Sequence, residues 1–189
     1  MTEPRRIMQA DVVIAGSGPG GATMARELSK KGKKVILCEA GGYQERFGYS
    51  PFLLTMLDNF GLTFSKEGTW VMRPKTAGGA SMVFCGTAFK PPAWLKDKYD
   101  IELTEEVDEL YEEVPIQPLP DSRIGPAARQ IMQSAQDMGL DWNPIDKWIR
   151  ADKCKQDCGL CALGCPTGAK WTAREFIEEA QRSGTDSVS

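Results

Sequence analysis

Residues 11–39 read DVVIAGSGPGGATMARELSKKGKKVILCE, and this stretch decides the fold. Its first five residues are a β-branched run that stops at Gly16, as a buried parallel strand does. A helical pattern follows and ends at Gly32, with lysines near its C-terminus, where the helix dipole favours positive charge. Residues 35–38 (VILC) predict a second buried strand. Strand, tight turn, helix and strand within about thirty residues make one βαβ unit.

The turn before the helix carries the spacing G-x-G-x-x-G on Gly16, Gly18 and Gly21. In this context Gly16 makes the tight turn, Gly18 lets the backbone approach a pyrophosphate, and Gly21 lets helix and strand pack closely. The helix N-terminus faces the anion. Glu39, at the end of the second strand, would accept hydrogen bonds from a ribose hydroxyl. The pattern predicts a dinucleotide site, with FAD and NAD both open, against the alternative of a glycine turn without a ligand.

The rest of the chain predicts mostly loops and helices. Residues 41–92 have poor periodicity and many turn residues, which is typical of a long loop that covers a ligand. Amphipathic helices are predicted at 103–114, which is strongly acidic, and at 126–139. A capping-box pattern, Thr172-x-x-Glu175, opens a third helix. Residues 183–189 are expected to be disordered.

Composition excludes several classes of function. The chain has 189 residues with 23 basic and 26 acidic side chains, so its charge gives no reason to expect a nucleic-acid partner. No apolar run reaches the roughly eighteen residues that a membrane span needs. An Arg5-Arg6 pair could open an export signal, but glycines interrupt the apolar run behind it, so we expect a cytoplasmic protein. The sequence contains no histidine. We therefore assign no catalytic residue here and expect any histidine-dependent step to use another chain.

Four of the six cysteines form a cluster with the spacing C-x3-C-x2-C-x3-C-P: Cys154, Cys158, Cys161 and Cys165. This spacing is close to the bacterial ferredoxin run, with one extra residue in the first interval. Nearby lysines and arginines would offset the charge of thiolates and a cluster. The pattern favours an iron–sulfur cluster, [4Fe-4S] before [3Fe-4S]. Structural zinc is an alternative, since four cysteines also suit that metal, and disulfides or free thiols are another.

A second glycine-rich stretch points to a family. Residues 77–92 read AGGASMVFCGTAFKPP, and together with the βαβ stretch they resemble the glucose-methanol-choline (GMC) family of FAD-dependent oxidoreductases. The resemblance implies FAD rather than NAD. It also implies a flavin-wrapping loop on Gly78, Gly79 and Ser81. Residues 164–170 (GCPTGAK) look like a cysteine-rich subgroup of alcohol, polyol and sugar dehydrogenases, some of which carry an iron–sulfur cluster that takes electrons from the flavin.

The predicted fold class is α/β in two parts. Residues 1–98 form a Rossmann-like βαβ FAD-binding unit, incomplete in this chain, with the flavin-wrapping loop. Residues 99–189 form a mainly helical segment with a Cys-rich metal-binding loop. The resemblance matches only the N-terminal part of longer family chains, and a lone βαβ unit leaves a parallel sheet half built.

We therefore expect one subunit of a split GMC-type oxidoreductase that oxidises an alcohol-type (CH–OH) substrate. A partner polypeptide would complete the FAD and substrate domains and supply the catalytic histidine. Electrons would leave through the cluster to an acceptor protein or carrier. The alternatives are a flavin and iron–sulfur electron-transfer subunit without substrate chemistry, and a non-enzymatic assembly protein with a zinc knuckle.

Overall fold

A computed structural model of the chain describes residues 7–45, 47–48 and 50–188. They form two compact units. The first contains the described residues up to Val83 and those from Thr172 onward, and the second is Phe84–Trp171. These units differ from a linear division at residue 98, because the chain returns to the first unit at Thr172. That 1–98 and 99–189 are separate domains stays a prediction.

The described residues form helices and short strands. In chain order they are β1 (Val12–Ala15), α1 (Pro19–Lys30), β2 (Val35–Cys38), α2 (Ser50–Met56), α3 (Trp94–Tyr99), α4 (Thr104–Glu113), β3 (Ile116–Pro118), α5 (Pro126–Asp137), β4 (Asp146–Trp148), α6 (Arg174–Arg182) and β5 (Asp186–Val188).

The first unit is built on a parallel sheet with the strand order β1-β2-β5. Val12 lies opposite Val35, and α1 connects the two strands, so the predicted βαβ unit is present. β5 pairs in parallel with β2, with Ile36 opposite Asp186. The expectation that the tail is disordered is therefore wrong for Asp186–Val188. The tail is ordered there because β2 offers it a row of backbone donors and acceptors that need partners.

Helix boundaries agree with the predicted helices to within a few residues, with one correction at α6. Its N-cap is Ala173, without a side-chain hydrogen bond, and the backbone N–H of Glu175 donates to the carbonyl of Thr172. The predicted capping box is therefore not formed. A box with Thr172 as the N-cap requires a helix that begins at residue 173, whereas α6 begins at Arg174. Between residues 41 and 92 the described elements are α2 and short 3₁₀ turns, as the turn-rich composition predicts.

The core of the first unit lies where α1 packs on α6. Ala25 and Ala180 are fully buried, and Phe176 is 3% exposed. Small residues at the contact let the two helices approach closely. The Arg26 guanidinium lies 4.1 Å from the centre of the Phe176 ring and donates to Glu179 at 2.6 Å. The charge of this buried arginine is thus met by a carboxylate and an aromatic face.

The second unit contains an antiparallel pair of strands, β3 and β4, with Ile116 opposite Trp148. Ile149 is 2% exposed, and the rings of Trp148 and Trp171 lie 4.8 Å apart between centroids. The acids of α4 face solvent, as its pattern predicts. Within the part of the chain that the structure describes, none of the helices is long and apolar enough to cross a membrane.

Candidate functional site

The glycine turn between β1 and α1 has the geometry that its spacing predicts. Gly16 has φ +89° and donates its N–H to the carbonyl of Cys38 at 2.7 Å. A Cβ on Gly21 would lie 2.0 Å from the carbonyl oxygen of Gly16, so only glycine lets the helix pack here. A Cβ on Gly18 would meet no atom within 4 Å, and Gly18 is the N-cap of α1 without a side-chain cap. The N-terminus of α1 therefore opens onto free space, and its contact with a dinucleotide stays a prediction.

Glu39 lies against this turn. Its Oε2 accepts hydrogen bonds from the Ser17 N–H at 2.9 Å and the Ser17 hydroxyl at 2.6 Å, and its Oε1 accepts one from the Gly41 N–H at 2.9 Å. Partial burial opposes ionisation, but the hydrogen bonds from Ser17, Gly41 and Ala40 outweigh it and lower the pKa of Glu39. Glu39 is thus an anionic acceptor beside the helix N-terminus. That it binds a ribose hydroxyl stays a prediction.

The predicted flavin-wrapping loop contacts the glycine turn. A Cβ on Gly79, which has φ +52°, would lie 2.8 Å from the Cα of Gly18. Gly78 has φ +90° and donates its N–H to the Ser17 hydroxyl at 3.2 Å. Ser81 is 4% exposed, and its hydroxyl donates to the carbonyl of Gly78 and accepts from the Ala173 N–H. Ser81 therefore holds the loop closed, and a flavin contact from it stays a prediction.

The sequence interpretation missed two residues that build this site. Ser17, 1% exposed, joins Glu39 to the Gly78 backbone through its hydroxyl. The only available signal was a small polar residue inside G-x-G. Arg174, 6% exposed, donates from Nε to the carbonyl of Ala77 at 2.9 Å. Nothing local to residue 174 predicts that contact, because its partner lies 97 positions away.

The second unit brings the cysteine loop together without forming a metal centre. Among residues 7–45, 47–48 and 50–188, no group of three or more histidine, cysteine, aspartate or glutamate side chains has the arrangement to hold a metal ion. The first and last thiols of the cluster each form a hydrogen bond with a nearby backbone group. The Cys165 sulfur accepts from the Lys170 N–H at 3.3 Å, and the Cys154 thiol donates to the carbonyl of Lys155 at 3.7 Å. The predicted ligation by Cys154, Cys158, Cys161 and Cys165 is therefore not confirmed.

A cavity of about 320 Å³ lies beside this loop. Three of the four thiols line it, those of Cys154, Cys158 and Cys161, together with basic side chains that include Arg123 and Lys147. Apolar residues complete the wall: Leu119, Ile124, Met132, Trp142 and Ile145. Cysteines, whose sulfur atoms are soft metal ligands, and positively charged side chains therefore line the same cavity.

Lys170 fixes the cysteine loop through hydrogen bonds to backbone carbonyls. It is 3% exposed, and its Nζ donates to the carbonyls of Cys161 at 2.7 Å and Phe84 at 2.9 Å. Burial lowers the pKa of Lys170 to about 8, although the neighbouring thiols of Cys161, Cys165 and Cys85 oppose that shift. This lysine therefore fixes the backbone that carries the cysteines.

The thiols differ in acidity. Burial raises the pKa of Cys154, and so do the neighbouring cysteine thiols. Burial also raises the pKa of Cys161, against the nearby Lys147. Burial alone would raise the pKa of Cys165 too, but hydrogen bonds from Thr167 and Lys170 lower it. Cys165 is accordingly the readiest of these three to form a thiolate.

The segment that contains this site matches a known protein family. A family model described as GMC oxidoreductase matches residues 10–188, almost the whole chain. The chain belongs to the GMC oxidoreductase family. The glycine turn, Glu39 and the loop at Gly78–Ser81 are all inside the matched segment. GMC oxidoreductases bind FAD, which agrees with the cofactor implied by the resemblance.

Relatives in this family include bacterial and plant proteins. The chain is 29% identical over 186 residues to an uncharacterised GMC-type oxidoreductase of Mycobacterium tuberculosis, covering 87% of this chain and 28% of that protein. It is 26% identical over 177 residues to a long-chain-alcohol oxidase of Arabidopsis thaliana, covering 86% of this chain and 23% of that protein. The chain thus spans about a quarter of the length of these relatives.

The fold is also found in a solved structure. Pyridoxine 4-oxidase from Mesorbium loti superposes with a TM-score of 0.65 at 17% sequence identity, covering 95% of this chain and 42% of that one. At this identity the likeness concerns the fold. The membership of the cysteine-rich dehydrogenase subgroup is not confirmed by these comparisons.

Proposed function

We propose that this chain binds FAD as the dinucleotide-binding part of a GMC-type alcohol oxidoreductase. The observation that carries the proposal is the open N-terminus of α1. Space is free where a Cβ of its N-cap, Gly18, would lie, while Gly79 packs against the Gly18 backbone. The anionic Glu39 accepts a hydrogen bond from the neighbouring Ser17 N–H. A side chain at Gly18 would occupy the space that a phosphate of FAD needs. The glycine that is present there leaves this space open, so the residues of the turn fit FAD.

Each part of the cradle has a role in binding. The first backbone N–H groups of α1 have no partner inside the helix, and with the helix dipole they favour a pyrophosphate. Glu39 is ionised at neutral pH, so it accepts hydrogen bonds from ribose. The loop at Gly78 and Gly79 holds the glycine turn from the other side. When bound, FAD supplies the acceptor for a hydride from the alcohol carbon.

We propose further that the base which removes the alcohol proton comes from another polypeptide. The chain has no histidine. Within the described residues β1 pairs with β2 alone, and Val13 on β1 is 65% exposed. An exposed β-branched side chain on a strand with one open edge is the kind of surface that further layers of a doubly wound fold cover. A partner that continues this sheet would bring the substrate pocket and the base.

The test is to express the chain alone and together with a candidate partner that carries histidines, and to measure flavin content and alcohol oxidation. We expect FAD binding, with oxidation only when the partner is present. Oxidation by the chain alone would overturn the assignment of the base to a partner. A flavin-loaded complex that oxidises no alcohol but passes electrons from another donor would instead support the electron-transfer subunit.

A second proposal concerns the cysteine cavity: it holds an iron–sulfur cluster, preferably [4Fe-4S], in the assembled protein. Its support is the shared lining by Cys154, Cys158 and Cys161 with Arg123 and Lys147, which offset negative charge. The fourth thiol, Cys165, would have to leave its hydrogen bond with the Lys170 N–H. Anaerobic purification should yield about four irons with acid-labile sulfide per chain. Zinc without sulfide would favour a structural site, and protein free of both metals would reject the proposal.

A further inference from the structure

The loop that carries Gly78 and Gly79 is fixed at both ends by the beginning of α6. At its C-terminal end, the Ala173 N–H donates to the Ser81 hydroxyl at 3.0 Å. At its N-terminal end, Arg174 donates from Nε to the carbonyl of Ala77 at 2.9 Å. The segment between these attachments is the one that packs on Gly18.

Arg174 also joins a second segment to the first. Its Nη2 donates to the Thr76 hydroxyl at 3.0 Å, and its Nη1 donates to the carbonyl of Gln44. The Thr76 hydroxyl in turn donates to the carbonyl of Gly42 at 2.9 Å. One guanidinium therefore ties the chain that follows β2 to the chain that enters the glycine loop.

The surroundings of Arg174 are adapted to a buried cation. The side chain is 6% exposed, with its guanidinium carbon 4.0 Å from the centre of the Tyr43 ring and 5.2 Å from that of Phe47. The Tyr43 hydroxyl donates to Glu178 at 2.8 Å, which keeps that ring in place. Cation–π contacts and neutral acceptors thus stabilise the charge.

The planar fork of arginine is required by this arrangement. Its donors point in fixed directions and reach three acceptors on three residues, whereas lysine has a single nitrogen. The Cγ of Arg174 also lies 3.1 Å from where a Cβ on Gly78 would be, so the side chain packs directly against the loop.

We infer that Arg174 is a positioning residue of the dinucleotide site. It holds Thr76 and Ala77 so that Gly78 and Gly79 stay against Gly18, and it acts through them without touching the cofactor. This inference rests on the proposed FAD site. It predicts that the loss of the fork weakens FAD binding by freeing the loop, beyond any general loss of stability.

The experiment compares Arg174→Lys, Arg174→Ala and Thr76→Val with the control Arg26→Lys. Arg26 is the matched residue, since it is a buried arginine (4% exposed) that lies over an aromatic ring, and its partners include Glu27, Glu179 and Phe176. The protein is used as purified, with any polypeptide that stays bound to it. FAD dissociation constants come from flavin fluorescence quenching, melting temperatures from calorimetry, and amide hydrogen exchange from cofactor-free protein.

We expect Arg174→Lys to weaken FAD binding about tenfold, which corresponds to one net hydrogen bond from a charged donor. Arg174→Ala should weaken it further, Thr76→Val should weaken it less, and Arg26→Lys should leave it within about twofold despite a similar loss of melting temperature. Exchange at residues 76–82 should rise in Arg174→Lys and not in Arg26→Lys. If Arg174→Ala does not fold, the FAD affinities of Arg174→Lys and Thr76→Val test the inference without it.

The two possible failures are distinguishable. If the unaltered protein binds FAD and all variants bind it equally, the role of Arg174 is refuted while the FAD site stands. If the unaltered protein binds no FAD, the proposed function fails. Hydrogen exchange then still tests the fixing of the loop, and unchanged exchange at residues 76–82 in Arg174→Lys would refute it.

Discussion

Replacing Gly18 with valine tests the dinucleotide site most selectively, because the structure separates its effects on folding and on binding. Gly18 has φ −63° and ψ 179°, a conformation open to valine, and a Cβ there meets no atom within 4 Å. The change should cost about 1 kcal/mol of folding stability or less, mainly because valine is a poor N-cap. Its methyl groups would occupy the space in front of the α1 N-terminus that the pyrophosphate needs.

The binding penalty follows from the hydrogen bonds that the phosphate loses. One hydrogen bond between a backbone N–H and a charged phosphate contributes about 1.5–3 kcal/mol, so losing one weakens FAD binding by about 10- to 100-fold. The assay is FAD titration of cofactor-free protein with melting temperature measured in parallel. Met24→Val is the control, since it places the same side chain on α1 at a residue that is 54% exposed and is not among the predicted binding residues. Equal FAD affinity in Gly18→Val and the unaltered protein would refute the reasoning.

Three further predictions test separate parts of the fold and the site. Gly21→Ala should destabilise the protein by about 1–3 kcal/mol in urea unfolding, because the new Cβ would lie 2.0 Å from the Gly16 carbonyl oxygen; full stability would contradict this packing. Glu39→Gln should flatten the loss of stability in acid: the pKa of Glu39 is lower in the folded protein than its ordinary 4.5, so its contribution is present above that pH and disappears as the pH falls through the folded pKa. An unchanged acid profile would speak against this. Phe176→Ala should cost about 3–5 kcal/mol, whereas Phe89→Ala, at a residue that is 79% exposed, should cost less than about 0.5 kcal/mol; similar losses would contradict the assigned core.

The βαβ unit could be predicted because its signals are local. A β-branched run, glycines at fixed spacing and a helical pattern lie within residues 11–39. The strand β5 could not be predicted in this way. Its three residues have no periodicity to detect, and they become a strand by pairing with β2, which lies far away in sequence.

The site was predicted only where a residue type has a stereotyped role. The glycines and Glu39 belong to a known spacing, whereas Ser17 and Arg174 act through partners 61 and 97 positions away. The cysteines show another limit. Their spacing indicates that the loop can bring four sulfurs near one another, but it does not determine where each sulfur points. That depends on local hydrogen bonds such as the one from the Lys170 N–H to Cys165.

The most direct test of the dinucleotide site is the flavin content of the purified protein, with any bound polypeptide retained. We predict about one FAD per chain, since the G-x-G-x-x-G turn at the N-terminus of α1 can face one pyrophosphate. This FAD should not be linked to the chain through a histidine, because the chain has none. Protein that is free of flavin and binds no added FAD would contradict the proposal.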